Sequence, residues 1–169
     1  MGVGRSGEAL AGRPSQAGGG GLCAGHGRDR LRRMDLDEAR AFLREHHHGV
    51  LATTRRDGRA QLSPVDATVD AAGRVVISSR ETAYKVRNLR RDPRASYCGF
   101  TDSFFGIWVQ VEGPAEIVSL PDAMEPLVDY YRSISGEHPD WDDYRAAMVR
   151  DQRVIIAITV ERAGPTRSG

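Results

Sequence analysis

The sequence predicts an α+β fold: an antiparallel sheet of about six strands, curled toward a barrel, with helices packed on it. Three observations carry this. Asp57-Gly58 stands between two short strand-like runs, the strongest short hairpin signal a sequence offers. From Ile107 to Val118 the residues alternate. Ile107, Val109, Val111, Ala115 and Ile117 share one side, and Trp108, Gln110, Glu112 and Glu116 the other. Beyond that run the apolar spacing becomes helical, with Leu120, Met124, Leu127, Val128, Tyr131 and Ile134 on one stripe. Curling such a sheet into a barrel removes exposed strand edges.

The totals bound the function. A chain of 169 residues supports one domain with a real core. A net charge of +1 excludes a typical nucleic-acid binder. No run is long and apolar enough for a membrane span. Two cysteines, Cys23 and Cys98, are too few for a disulfide framework or a zinc site and fit a reducing cytoplasm. Residues 1–33 differ from the rest, with 10 of the 19 glycines and no apolar periodicity. They read as a disordered leader, and Met34, directly before a helix start, reads as the translated start; a flexible leader is the alternative. The expected domain is 34–162, followed by a tail over 163–169.

Taken in order, a helix is expected over Met34–His48, capped by Asp35 with Glu38 completing a capping box. His46-His47-His48 invites a metal reading, but consecutive helical residues diverge and cannot converge on one ion. Gly49–Arg55 is the first strand, Asp57-Gly58 a two-residue turn, and Arg59–Val69 the return strand. The apolar parity of that strand changes between Leu62 and Val65, which places a bulge or an edge at Pro64. Arg74–Ser79 follows as a strand. A short basic helix then starts with Thr82 as N-cap and stops before Pro93. Strands Arg94–Phe100 and Ile107–Val118, a helix capped by Ser119 and stopped by Gly136, a second helix opened by Asp140, and a strand Val154–Val160 complete the chain.

Two places point to a ligand. Lys85 is the only lysine among 24 lysines and arginines, and an ammonium is a compact charge suited to a phosphate. It lies in the most basic segment, Arg80–Arg94, on a helix that follows a strand, where free backbone N–H groups favour an anion. A solvated basic face is the plain alternative. Trp108, opposite the core side of its strand, fits either a stacking ligand or a subunit interface.

Gly49-Val50-Leu51-Ala52-Thr53, Asp57-Gly58-Arg59-x-Gln61-x-Ser63-Pro64 and Lys85-x-Arg87-Asn88-Leu89-Arg90-Arg91-Asp92-Pro93-Arg94 together resemble the split β-barrel flavin and deazaflavin oxidoreductases, the pyridoxamine 5'-phosphate oxidase-like superfamily. Gly136-Glu137-His138-x-Asp140-Trp141-Asp142-Asp143-Tyr144-Arg145 is similar to the branch of coenzyme F420-dependent enzymes. The likeness spans Met34 to Val160. It implies a six-stranded split barrel, a cytoplasmic homodimer with the cofactor in a groove between subunits, and hydride transfer from reduced coenzyme F420 to a small unsaturated substrate. Thr53, Gln61, Ser63 and Pro64 are expected at the ring end of the cofactor. Ser78, Lys85, Arg87 and Asn88 are expected at its phosphate, and Trp108 at the dimer interface. Ala83 stands where close relatives can carry an arginine, with Arg80 or Arg87 as substitutes. Within the same fold, an FMN-binding oxidase or reductase is the alternative; outside enzymology, it is a protein that binds the cofactor or a haem without turnover. No metal set, Ser-His-Asp set or paired carboxylates are legible, so the chemistry would reside in the cofactor.

Overall fold

A computed structural model of the protein describes residues 34–103 and 106–164. The leader 1–33 and the end of the expected tail lie outside the described residues. The order is α1 (Leu36–Glu45), β1 (His48–Thr54), β2 (Ala60–Asp66), β3 (Thr68–Val69), β4 (Val75–Arg80), α2 (Tyr84–Arg91), β5 (Arg94–Phe100), β6 (Trp108–Val118), α3 (Met124–Ser135), α4 (Trp141–Arg150), β7 (Arg153–Ile158) and β8 (Arg162–Ala163). Every strand pairing is antiparallel. The strands follow the order β2-β1-β5-β6-β7-β4-β3, with β8 added beside β6. The sheet is open, and it divides on β6: Trp108–Pro114 pair with β5, whereas Ala115–Val118 pair with β7. Two half-sheets sharing one long strand make the split barrel.

Two apolar clusters fill it. Leu43, Leu51, Ile77, Val86, Leu89, Tyr97, Val109 and Ile156 lie in the barrel. Val76, Leu127, Val128, Tyr144, Met148 and Ile155 lie under α3 and α4. Strand β7 serves both, which explains its unbroken apolar run. Val154, Ile156 and Ile158 enter the barrel, and Ile155 and Ala157 meet the helices. Each such side chain stabilises the fold by about 1.5–3 kcal/mol on burial. Tyr97 is fully buried and its hydroxyl donates to the His47 carbonyl at 3.1 Å. Gly49 and Gly99 flank it, where an added Cβ would collide with the Tyr97 ring or Leu43.

Several boundaries differ from the expected ones, each for a tertiary reason. Helix α1 ends at Glu45, because His46 is already extended and β1 pairs His48 with Asp66. The hairpin loop carries three residues, Arg56-Asp57-Gly58, closed by Arg55 N–H donating to the Arg59 carbonyl, with Gly58 at φ 79°. β2 runs straight through Pro64, which an edge strand tolerates, and the chain breaks at Ala67 instead. The parity change has another cause: Leu62 points to the open face of the sheet and is 66 % exposed, while Ser63 is buried. Ala83, not Thr82, precedes α2. Ser119 does not cap α3, whose first turn begins after Ala123; its hydroxyl bonds Glu81 and Arg90. The chain past Arg162 still packs, since Ala163 in β8 is buried against β6. The described strands number eight rather than six, the two additions being the two-residue strands β3 and β8. Among the described residues no helix is long and apolar enough to cross a membrane, and no His, Cys, Asp and Glu group could hold a metal.

Candidate functional site

Helix α2 organises the site because its sides do different work. Val86 and Leu89 anchor it in the barrel. It ends at Asp92, whose N–H donates to the Asn88 carbonyl at 2.8 Å before Pro93 stops it. The Asp92 carboxylate accepts from the Arg94 guanidinium at 2.7 and 2.9 Å, which holds its pKa at about 2.

One side of α2 faces the β1–β2 hairpin across a cavity of about 720 Å³, lined by Arg55, Arg56, Asp57, Gln61, Tyr84, Arg87, Asn88 and Arg91. Four guanidiniums stand there over one carboxylate. Asn88 is buried at its floor and donates to Thr53 Oγ1 at 3.0 Å and Gln61 Oε1 at 2.8 Å. The Arg91 guanidinium lies against Asn88 Oδ1 at 3.4 Å and donates to the Thr54 carbonyl. Arg87 stacks on the ring of Tyr84 with 4.4 Å to the centroid. A charged cleft whose side chains are already oriented by fixed partners loses little entropy on binding an anion.

The other side carries Lys85. It is half-buried, and desolvation lowers its pKa, helped by the charge of Arg153. Arg153 opens β7 directly opposite Arg80 of β4. Arg80, Arg150 and Arg153 share one carboxylate, Asp151, at 3.4, 3.8 and 3.9 Å. The last distance is an ion pair but too long for a hydrogen bond. Arg153 Nε is accordingly buried without a hydrogen-bond partner. An orphaned donor and a desolvated ammonium under-matched by carboxylate fit an anion such as a phosphate. Ser78 is half-buried on β4, its backbone against the hydroxyl of Tyr130, whose pKa is pushed up to about 12 by burial.

The expected site residues therefore fall in three places. Thr53, Gln61, Arg87 and Asn88 meet at the arginine cleft, with Ser63 buried on the same side of β2 as Gln61. Ser78 and Lys85 lie away from it, toward Tyr130 and Arg153. Pro64 and Trp108 point to the opposite, open face of the sheet. Sequence reasoning missed Arg55, Arg56 and Arg153. The first two were signalled by their place beside the Asp57-Gly58 turn. Nothing local marks Arg153, which strand pairing alone brings to Arg80.

The comparisons with known proteins agree with this architecture. The family model described as pyridoxamine 5'-phosphate oxidase matches residues 36–166. A solved conserved hypothetical protein of Mycobacterium tuberculosis is 28 % identical, with a TM-score of 0.64 over 77 % of this chain and 82 % of that one. A structure titled F420 reductase is 22 % identical, with a TM-score of 0.57 over 74 % of this chain and 94 % of that one. A FAD-binding protein of Mesorhizobium loti is 20 % identical, with a TM-score of 0.55 over 78 % of this chain and 92 % of that one. With the family model covering nearly all of the described domain, the chain belongs to the pyridoxamine 5'-phosphate oxidase family.

Proposed function

We propose that this protein is an oxidoreductase that holds reduced coenzyme F420 along α2 and serves hydride transfer to a small unsaturated organic substrate. The observation that carries the reading is the pair of cationic sites on two sides of one helix. The deazaflavin bears a phosphodiester and a string of carboxylates, two separate anionic stretches, whereas FMN ends in one phosphate. Lys85 and Arg153, with Ser78 and Arg80 beside them, would hold the phosphodiester through charge-assisted hydrogen bonds. The cleft of Arg55, Arg56, Arg87 and Arg91 would take the carboxylates. Gln61 and Thr53, fixed by Asn88, would orient the polar edge of the ring system. The cofactor supplies the hydride; the chain supplies binding, orientation and exclusion of water. A homodimer with the cofactor groove between subunits follows from the same reading, since Pro64 and Trp108 belong to a sheet face that no described helix covers. A cytoplasmic setting fits Cys98, which is a free thiol.

Titration of the purified protein with coenzyme F420, FMN and FAD, read by the fluorescence of Trp108 and Trp141, tests this. The deazaflavin is expected to bind at least about tenfold more tightly than FMN, and Lys85→Ala to weaken it about 10–100-fold. A yellow protein on purification, with FMN bound more tightly, would establish the flavin oxidase reading instead. Binding without oxidation of reduced cofactor across a panel of enones and quinones would make it a carrier.

A further inference from the structure

Three guanidiniums converge on one carboxylate at the corner where α4 turns into β7. Asp151 Oδ2 faces Arg80 at 3.4 Å and Arg153 at 3.9 Å, and its Oδ1 faces Arg150 at 3.8 Å. Lys85 stands in the field of Arg153 and makes no ion pair among the described residues. One negative charge therefore answers four positive ones, and pairing neutralises only one of them. The excess is partly shielded from water, since the Arg153 and Asp151 side chains are each 29 % exposed.

The corner that carries Asp151 is fixed by its backbone. Asp151 N–H donates to the Ala147 carbonyl at 2.9 Å and closes α4. Gln152 follows with φ 50°, a left-handed conformation that a side chain disfavours. Its surroundings hold it there: its N–H donates to the Val149 carbonyl at 3.1 Å, and its carbonyl accepts from the Glu81 N–H at 2.9 Å. The second bond ties the corner to the segment leading from β4 into α2, and so to Arg80 and Lys85.

The contacts themselves are loose. None of the three reaches the distance of about 2.7–2.9 Å that a good charge-assisted hydrogen bond takes. Two carboxylate oxygens serve three guanidiniums and leave Arg153 Nε without a hydrogen bond. A phosphate group brings more oxygens to the same cations. It and the Asp151 carboxylate repel one another and cannot share Arg80 and Arg153 without cost.

Resting on the reading that Lys85 and Arg153 hold a phosphate group, we propose that Asp151 is an internal rival of that group. Its carboxylate competes for Arg80 and Arg153 and so sets how tightly the ligand is held. Binding passes the two guanidiniums from the carboxylate to the phosphate, and release returns them. Such a rival lowers affinity and speeds release without removing any group that binds the ligand.

Calorimetric titration of the full chain with inorganic pyrophosphate, and separately with coenzyme F420, tests the proposal. Asp151→Asn keeps the shape of the side chain and should bind pyrophosphate about tenfold more tightly than the unchanged protein. Asp151→Glu, which keeps the charge, should stay within about threefold of it. The sign is diagnostic, because loosening a merely structural corner would weaken binding. Asp129→Asn, which removes an exposed carboxylate of α3, should shift affinity less than about twofold at physiological salt. In the Lys85→Ala background the gain from Asp151→Asn should fall below about twofold, which separates this side of α2 from the hairpin cleft. Equal or weaker binding by Asp151→Asn, a gain that survives Lys85→Ala, or no pyrophosphate bound by either chain would overturn the proposal. A gain with pyrophosphate and no binding of the deazaflavin would uphold the role of Asp151 and overturn the cofactor reading alone.

Discussion

The two sides of α2 carry four cations each, in opposite physical states. Toward the hairpin, Arg55 pairs with Asp57 at 3.4 Å, Arg87 stacks on Tyr84, and Arg91 is held by Asn88 and the Thr54 carbonyl. On the other side, Arg80, Arg150 and Arg153 divide one carboxylate, Arg153 Nε has no partner, and Lys85 is desolvated. Counting charge makes the sides equal. Counting satisfied donors does not. The cleft is preorganised and stable without a ligand, whereas the Lys85 side stores an electrostatic cost that an anion would relieve.

The sharpest way to break this contrast is Asn88→Ala. It leaves Gln61 and Thr53 without their shared donor inside the fold, and urea denaturation should show a loss of about 2–3 kcal/mol. A loss below about 0.5 kcal/mol would mean that the Asn88 floor does not order the cleft. A smaller effect of opposite sign is expected on the other side. Lys85→Met keeps the length of the side chain and removes the desolvated charge, so the melting temperature should hold or rise, even as cofactor affinity falls. Arg87→Met, on the partnered and exposed side, should give no such gain.

The pH dependence sharpens the same point. Lys85 has a folded pKa below its unfolded value, so folding disfavours its charged form. At pH values below the folded pKa both states are protonated and the cost is fully present. Between the folded pKa and the unfolded value of about 10.4 the folded state has released the proton and the cost fades. The stability gap between Lys85→Met and the unchanged protein should therefore narrow as pH rises through that window. A gap constant across alkaline pH would remove Lys85 from the desolvated class.

Much of the fold was legible because its signals are local. Arg94–Phe100 forms the strand that its pattern predicts, Asp140 caps α4 by accepting from the Asp142 and Asp143 N–H groups, and Gly136 ends α3 with φ 79°. The hairpin was placed correctly and its loop one residue short. Two readings failed because they depended on a neighbouring strand. Leu62 looked like a core residue out of phase, because a single strand cannot show that its second face is also apolar. His48 looked helical until its pairing with Asp66 drew it into the sheet.

By itself, then, the sequence determined the antiparallel α+β class, the order of the principal elements, the basic helix with its single lysine, and the family. These depend on periodicity, capping and turn chemistry within a few residues. Only the tertiary structure decided that Asn88 belongs with Thr53 and Gln61, that Lys85 belongs with Arg153, and that Pro64 and Trp108 face away from both. Those groupings are set by strand register and by the rotation of α2 on the barrel. Each joins residues tens of positions apart, where no local propensity reaches.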